Sequence, residues 1–461
     1  MKIKDKKVIV LGLAKSGVAA AKLLLEQGAK VKISDSKSTA ELQEQIALLK
    51  DLEIETGGHN EESLIDCELI VTSPGIPVDI PFLRKATKMN IPIISEMELA
   101  YQYLQQNLVI AITGTNGKTT TTTLIGEILK NAKQKVVVAG NIGNPLSEVV
   151  DKIDKDYLVV VEISSFQLQT IKEFRPNISV FLNFTPDHLD RHKNLDDYLK
   201  AKARIFENQT KEDFMILNAD SSAIMEVSEQ SKAKPLYFSP TKRNFKDGIW
   251  IEQNQIISRF KGKENNICQI QDIALPGPHN LENVLASIGV CLILNIDLEV
   301  VRKILKEFKG VEHRLEEVAC INEIRFINDS KATNVDSVIV ALKSFPKPII
   351  LIAGGRGKGC DYSRLNHLLS TKVKAMILLG EAKDEIARQV DFNNIFKVQN
   401  LHEAVELSYK LATPLDTILL SPACASYDMF KNFEERGRVF KEEVEIIKNY
   451  ELKVKNEGIE K

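Results

Sequence analysis

The residues from Thr113 to Thr122 read TGTNGKTTTT, so a turn bracketed by two glycines leads into a lysine and a run of hydroxyl side chains. The apolar stretch Leu108 to Ile112 before it predicts a buried strand, and the apolar spacing after it predicts a helix. Backbone N–H groups in such a turn bind phosphate, Lys118 adds a charge, and the Thr119 hydroxyl can bind Mg²⁺. The stretch predicts a nucleotide site, although Ile112 replaces the first glycine of the full Walker pattern. A plain glycine turn is the alternative.

Acidic and imidazole side chains follow two further apolar stretches of the same section. YLVVVE ends in Glu162, and ISVFLNF is followed by Asp187, His188 and Asp190. The carboxyl ends of parallel strands meet at one edge of a sheet, and Mg²⁺ prefers oxygen ligands shared with phosphates. These residues therefore predict a magnesium site beside the phosphate turn.

Two other polar stretches are ambiguous from spacing alone. The predicted helix from Asn194 to Gln209 carries Lys200, Lys202 and Arg204, and its pattern favours an exposed basic face. In LPGPHNLEN, asparagines at a helix start favour a capping role for Asn280 and Asn283.

The elements that must position these groups fall into three sections. The first opens with a strand over Lys7–Leu11, a turn from Gly12 to Gly17, a helix and a second strand ending at Asp35. This is the βαβ order of a nucleotide-binding half-fold, and TSPG supplies another turn at a strand end. The G-x-x-x-x-G spacing favours a diphosphate at the helix N-terminus over a nicotinamide dinucleotide; a capping turn without a ligand is the alternative.

The last section repeats the alternation of apolar strands and polar turns. IRFINDSKATN, PIILIAGGRGKGCD and DTILLSPACASYD each pass from an apolar run into such a turn. AGGRGKG lacks the Ser or Thr of a phosphate loop, so it favours anion binding by Arg356 and Lys358.

Composition limits the classes of protein that remain. The chain has 461 residues, and its 61 Lys and Arg nearly balance 63 Asp and Glu. The chain is therefore too long for one ordinary domain. Its balanced charge gives no case for nucleic acid as a partner. Six scattered cysteines without metal spacing favour a reducing cytoplasm, and no apolar run is long enough to insert into a membrane.

These observations predict an α/β protein of three domains. We expect a Rossmann-like N-terminal domain over 1–103, a central phosphate-loop domain with a mostly parallel sheet over 104–310, and a C-terminal Rossmann-like α/β domain over 311–461.

The ordered motifs resemble those of the Mur ligases, the ATP-dependent amide-forming enzymes of peptidoglycan precursor synthesis. The resemblance covers essentially the whole chain and rests on LGLAKSG, TSPGI, TGTNGKTT, GNIGNP, EISSFQL, NFTPDHLDRH, AKARIF, LPGPHNLEN, EHR, NDSKATN, AGGRGKG and SPACASYDMFKNFEERG. Within the family, the motifs look most like those of members that add D-glutamate to UDP-N-acetylmuramoyl-L-alanine through an acyl phosphate. The resemblance therefore implies a cytoplasmic ligase that uses ATP and two Mg²⁺ ions, and we expect a monomer.

The resemblance also implies roles for individual residues. It places the ATP phosphates on Gly114, Thr115, Asn116, Gly117, Lys118, Thr119 and Thr120, and the remaining nucleotide contacts on Asn283, Arg314 and Asp329. It makes Lys118, Glu162, His188 and Lys202 catalytic, with metal held by Thr119, Glu162, His188 and a carbamylated Lys202. For Lys202 this reverses the expectation from spacing.

Two substrate sites follow from the same resemblance. The UDP-sugar is expected on Lys15, Ser16, Asp35, Ser73, Gly75, Asn141 and His188, and D-glutamate on Lys331, Thr333, Lys358, Ser426 and Phe433. Two lysines facing a dianion are electrostatically sensible.

Other functions remain as alternatives. A family member that adds a different amino acid is one; for meso-diaminopimelate, the third-domain D-N-P-R motif is missing from the sequence. Folylpolyglutamate synthase shares the central loop but lacks a first domain like residues 1–100. A non-catalytic nucleotide-binding regulator and a Rossmann-type oxidoreductase come from different classes, and the retained Lys118, Glu162 and His188 argue against the regulator.

Overall fold

The computed structural model describes residues 2–49, 52–104, 106–141, 143–187, 191–275, 277–345, 348–357 and 359–457. Their packing divides the chain into two units, which are treated separately below. The first unit consists of Met1–Asp272 with Glu282–Lys306, and the second of Ile273–Leu281 with Glu307–Lys461.

The first unit contains two sheets, of which the N-terminal one is five-stranded and entirely parallel. Its strand order is β3-β2-β1-β4-β5. The strands are β1 (Lys7–Leu11), β2 (Lys30–Ser34), β3 (Glu53–Glu55), β4 (Leu69–Thr72) and β5 (Ile93–Ser95), and the helices are α1 (Lys15–Glu26), α2 (Gln43–Ala47), α3 (Pro81–Lys88) and α4 (Glu96–Tyr101). The predicted βαβ start is confirmed.

The second sheet of this unit has nine strands in the order β14-β13-β12-β11-β10-β9-β6-β8-β7. Its strands are β6 (Val109–Thr113), β7 (Val136–Gly140), β8 (Leu158–Glu162), β9 (Ile178–Phe181), β10 (Phe214–Asn218), β11 (Lys234–Ser239), β12 (Gly248–Glu252), β13 (Gln255–Phe260) and β14 (Lys263–Gln269). Strands β6 to β12 pair in parallel, whereas β12, β13 and β14 form an antiparallel meander. Every residue of β6 is buried, as expected for a central parallel strand.

Six helices are described between residues 114 and 307, and two of them differ from the sequence prediction. They are α5 (Lys118–Asn131), α6 (Ser165–Leu168), α7 (Leu195–Ala203), α8 (Ser222–Ser228), α9 (Pro278–Ile293) and α10 (Leu298–Glu307). The helix predicted over Asn194 to Gln209 ends as an α-helix at Ala203 and continues as a 3-10 turn over Arg204–Phe206. Helix α9 begins at Pro278, so Asn280 and Asn283 lie inside it and are not caps.

The second unit holds a six-stranded sheet of order β15-β16-β20-β17-β18-β19. Its strands are β15 (Glu316–Ile321), β16 (Ile324–Asn328), β17 (Ile349–Gly354), β18 (Val373–Leu379), β19 (Ile395–Lys397) and β20 (Thr417–Ala423), and its helices are α11 (Val335–Ser344), α12 (Asn366–Lys372), α13 (Lys383–Gln389), α14 (Leu401–Leu411) and α15 (Phe433–Glu457). Only the pairing of β15 with β16 is antiparallel. The predicted fold class, an α/β protein with three mostly parallel sheets, is confirmed.

In the part of the chain that the structure describes, no helix combines the length and the apolar character needed to cross a membrane.

Candidate active site

The phosphate loop lies between the end of β6 and the start of α5. Gly114 and Gly117 adopt φ angles of 151° and 82°, in the region that glycine alone enters without strain. A Cβ atom on Gly117 would overlap the Asn283 side chain. The Lys118 ammonium folds back over the loop and donates to the carbonyls of Gly114 and Thr115 at 2.9 and 2.8 Å. The turn thus holds a cation above the N-terminus of α5.

Glu162 ends β8 directly beside this loop. Its side chain is buried, and its Oε2 accepts a hydrogen bond from the Thr119 hydroxyl at 2.8 Å. Its Oε1 accepts from Asn141 Nδ2 at 2.9 Å. The structure therefore brings together Thr119, Glu162 and Asn141, which the sequence predicted separately.

Lys202 extends from α7 toward the same loop. It is 1% exposed, its Nζ donates to the Gly114 carbonyl at 2.7 Å, and it lies 4.7 Å from the centre of the Tyr198 ring. Burial, followed by the nearby charge of Lys118, places the pKa of Lys202 well below its ordinary value. The exposed face expected from spacing alone is wrong for Lys202, although Lys200 is exposed and pairs with Asp196 at 2.6 Å.

The residues around the loop suit a magnesium nucleotide. A threonine hydroxyl and a carboxylate in mutual contact are hard oxygen donors of the kind that Mg²⁺ prefers. Thr119 and Glu162 would hold the ion, and Lys118 would face the phosphates. His188, predicted as a further ligand and as a contact of the UDP-sugar, lies outside the described residues.

The opposite side of the loop is formed by Asn283 and buried threonines. Asn283 is 1% exposed, and its Oδ1 accepts from the Thr121 hydroxyl at 3.2 Å. Thr120 is also buried. The segment after β9 holds two earlier residues of the loop. Thr115 Oγ1 donates to the Thr185 carbonyl at 3.1 Å, and Asn183 Oδ1 accepts from the Asn116 amide at 2.8 Å. The predicted ATP residues of this unit therefore surround one loop.

The turns of the N-terminal sheet and the start of α1 carry five of the residues predicted for the UDP-sugar: Lys15, Ser16, Asp35, Ser73 and Gly75. Asp35 accepts from the backbone amides of Leu13 and Lys37 at 2.6 and 2.9 Å, and Ser73 Oγ donates to the Gly12 carbonyl at 3.0 Å. These contacts fix the Gly12 turn, beside which Ser16 is partly exposed on α1.

Lys15 extends from this turn to the second sheet of the unit. Its Nζ donates to the Gly143 carbonyl at 2.6 Å and to Asn144 Oδ1 at 3.0 Å. Gly75, on the neighbouring turn, accepts a hydrogen bond from Arg191 at 3.0 Å. Lys15 and Gly75 therefore face the central domain, on the side where Asn141 meets Glu162.

In the second unit, two of the predicted D-glutamate residues, Lys331 and Ser426, follow the neighbouring strands β16 and β20. Lys331 follows β16, and its Nζ lies 5.6 Å from the centre of the Phe433 ring at the start of α15. Ser426 follows β20 and is buried, and the Thr333 amide donates to the Lys331 carbonyl at 2.9 Å. Lys358 lies outside the described residues. Arg356, its partner in the predicted anion site, pairs with Glu381 at 3.0 Å.

Asp329 and Arg314 occupy the same edge of the sheet. The Asp329 carboxylate is buried and accepts from the Ser421 hydroxyl at 2.8 Å and from the Leu315 amide at 3.2 Å. Burial raises the pKa of Asp329, while the Ser421 hydrogen bond and the charge of Arg314 lower it. The net result is a pKa raised to about 7. Asp329 is therefore a buried acid close to a cation.

Comparison with known proteins gives three matches to family models in chain order. Residues 6–95 match the Mur ligase MurD-like N-terminal domain, 112–291 the Mur ligase middle domain, and 313–424 the Mur ligase glutamate ligase domain. A UDP-N-acetylmuramoylalanine–D-glutamate ligase from Koribacter versatilis is 46% identical over 98% of this chain and 100% of its own. The chain belongs to the Mur ligase family.

Further Mur ligases agree with this assignment. The enzyme of the same name from Clostridioides difficile is 43% identical over 97% of this chain and 100% of its own. Among solved structures, the UDP-N-acetylmuramate–alanine ligase from Thermotoga maritima aligns with a TM-score of 0.58 at 20% identity, over 95% of this chain and 99% of that one. At that identity the structural match supports the fold alone.

Several contacts of this Mur ligase were missed from the sequence. Arg191 stacks at 4.6 Å on the Phe166 ring while it binds Gly75, and Tyr198 covers Lys202. Arg436 is a buried arginine that contacts three loops of the second unit. Its motif, FEERG, was noted in the sequence, but a charged helix start gives no sign that one of its residues is buried.

Proposed function

We propose that this Mur ligase joins D-glutamate to UDP-N-acetylmuramoyl-L-alanine at the expense of ATP, in peptidoglycan precursor synthesis in the cytoplasm. The observation that carries the proposal is the similarity, over nearly the full length of both chains, to relatives that bear this activity in their names. The clustering of Lys118, Glu162 and Lys202 around Gly114 supports it.

The reaction proceeds in two transfers. The carboxylate of the alanyl substrate attacks the γ-phosphate of ATP, and ADP leaves with the bond electrons. The amino group of D-glutamate then attacks the acyl carbon and loses a proton, and inorganic phosphate leaves. Both steps depend on positioning and on compensation of negative charge.

The residues around the phosphate loop act mainly by compensating the negative charge of the phosphates. Lys118 holds the β- and γ-phosphate oxygens, and its present contacts with two loop carbonyls keep its ammonium at that place. Thr119 and Glu162 would hold Mg²⁺, with His188 as a further ligand, and the bound ion would supply positive charge beside the phosphate oxygens. The amide of Asn141 orients the Glu162 carboxylate and faces the muramoyl-alanyl end.

Lys202 has the properties that carbamylation requires. Its lowered pKa favours the neutral amine, which adds to CO₂ through its lone pair and releases a proton. The product is an anion in the position of a cation, and its oxygens would be available to hold a second Mg²⁺.

Each of the three proposed domains binds one substrate. Residues 1–103 take the UDP-sugar through Lys15, Ser16, Asp35, Ser73 and Gly75, and 104–310 take ATP. Residues 311–461 take D-glutamate through Lys331, Thr333, Lys358, Ser426 and Phe433, and Arg314 and Asp329 are assigned to ATP. The enzyme acts as a monomer.

The test is a phosphate-release assay with ATP, Mg²⁺ and UDP-N-acetylmuramoyl-L-alanine. Parallel reactions receive D-glutamate, L-lysine or meso-diaminopimelate. We expect release with D-glutamate only. Release with another amino acid, or release that needs no amino acid, would contradict the proposal.

A further inference from the structure

Arg436 is a buried arginine near the start of α15. Its side chain is 2% exposed, although arginine is almost never fully buried unless it is paired. Its partners are one hydroxyl and several backbone carbonyls, and burial lowers its pKa only to about 10. The guanidinium is therefore a cation at neutral pH that is satisfied by backbone oxygens.

The oxygens bound by Arg436 come from three different loops. Nε donates to Ser330 Oγ at 2.9 Å, and Nη2 donates to the carbonyls of Ser330 and Cys424 at 2.8 and 3.2 Å. Nη1 lies 3.5 Å from the carbonyls of Gly354 and Ala425. The loops follow β16, β20 and β17, which are adjacent in the sheet. One planar side chain thus connects three consecutive strand ends.

The same loops carry the residues proposed to bind D-glutamate. Ser330 precedes Lys331, and Ala425 precedes Ser426. Ser330 Oγ also donates to the carbonyl of Phe433 at 2.8 Å, which connects the start of α15 to the loop after β16. The guanidinium therefore bonds the residues that directly precede Lys331 and Ser426.

The close approach of these loops to each other and to Arg436 also depends on Gly355. Gly355 has φ of 128°, and a Cβ atom there would overlap the Ala425 carbonyl and lie 3.2 Å from Arg436 Nη1. The backbone of the loop that leads to Lys358 thus lies directly against the Arg436 guanidinium.

We propose that Arg436 is a positioning residue for D-glutamate: it sets the spacing of the loops whose side chains bind the two carboxylates and does not contact the substrate itself. The inference rests on the proposed function. It explains why a rigid fork of five N–H donors, which lysine cannot reproduce, stands at this point.

The experiment compares Arg436→Lys and Arg436→Met with Arg438→Lys and Arg438→Met, since Arg438 is exposed on the same helix. KM for D-glutamate, KM for UDP-N-acetylmuramoyl-L-alanine, kcat and Tm are measured for each. We expect R436K to raise KM for D-glutamate by about tenfold and R436M by more, because small misplacements of binding groups cost heavily. KM for the UDP-sugar stays within about twofold, and the Arg438 variants behave as wild type.

Each outcome decides a separate point. If KM for both substrates rises equally, or if only Tm falls, Arg436 is merely structural and the inference is wrong. If the wild type shows no phosphate release with D-glutamate, the proposed function fails instead. Should the Arg436 variants not fold, Ser330→Ala removes the Nε partner and keeps the arginine. A selective rise in KM for D-glutamate then supports the inference, and an unchanged KM overturns it.

Discussion

Lys202 lies in surroundings that are unusual for a lysine. A lysine is usually solvated and charged, yet this one is enclosed by an aromatic ring and a loop carbonyl and lies near a second lysine. Such a site disfavours the ammonium form and therefore favours chemistry of the free amine.

We predict that Lys202→Ala lowers kcat by about two orders of magnitude, as loss of a group that compensates transition-state charge does. Short carboxylates such as acetate should restore part of the activity, because they can supply the missing anion in the cavity. Lys200→Ala, two positions away on the exposed face, serves as the control and should keep full activity.

Carbamylation itself can be measured without turnover. With isotopically labelled bicarbonate, the wild type should show a carbamate carbon signal in the NMR spectrum that K202A lacks. Full turnover by K202A, or the same signal in both proteins, would refute the assignment.

The sequence located those site residues whose role depends on local order along the chain. Lys118 and Thr119 follow a glycine turn, and Glu162 ends an apolar strand, so each could be placed at the edge of a sheet. Lys202 could not be placed by spacing, because the groups that enclose it include a carbonyl 88 residues away. A helical pattern cannot reveal what covers one face of a helix.

At the scale of elements, α7 carries Lys202 on a short helix of nine residues. Its start is fixed by Asn194, whose side chain accepts from the Asp197 amide at 2.8 Å. Two acidic residues in its first turn also interact favourably with the helix dipole. The position of Lys202 therefore depends in part on this cap.

We predict that Asn194→Ala destabilises the protein by about 1 kcal/mol, the usual cost of losing an asparagine cap. Asn194→Asp keeps an acceptor at the same place and should match the wild type. The measurement is the shift of the first thermal transition, with kcat as a second readout. Equal transitions for N194A and N194D would show that the cap is unimportant.

The elements themselves were largely predictable. Strands such as β1 and β8 are short apolar runs that end in polar turns, and alternation with helices implies parallel sheets. The length of α7 was overestimated, because the continuation Arg204–Phe206 keeps the apolar spacing but tightens into a 3-10 turn. There Arg204 donates to the carbonyls of Leu168 and Ile171 at 2.9 and 2.8 Å, contacts that no local pattern shows.

On the scale of the whole molecule, α4 joins the N-terminal sheet to the rest of the first unit through two buried carboxylates. Glu96 accepts from the Ser147 amide at 2.7 Å and from its hydroxyl. Glu98 is fully buried and accepts from the amides of Lys172, Glu173 and Phe174 at 2.9, 2.8 and 3.0 Å. The sequence showed EMELA only as the end of a section, since its partners lie 51 to 76 residues away.

We predict that Glu98→Ala strongly destabilises the first unit and raises KM for the UDP-sugar. The change leaves three backbone N–H groups without an acceptor, and each such group costs about 1–3 kcal/mol when it stays buried. Glu98→Gln should also destabilise, because the amide has one oxygen fewer and brings N–H donors toward other donors. Glu26→Ala, at an exposed position of α1, is the control.

Thermal unfolding and limited proteolysis near residues 96–104 distinguish destabilisation of the first unit from a loss of activity confined to the phosphate loop. If Glu98 holds the N-terminal sheet against the central one, E98A is cleaved faster in this segment and its KM for ATP changes less than its KM for the UDP-sugar. Lys15 and Arg191 also connect the two sheets, but their contacts lie at exposed positions and are individually weak. An unchanged cleavage rate in E98A would therefore show that Glu98 does not hold the two sheets together.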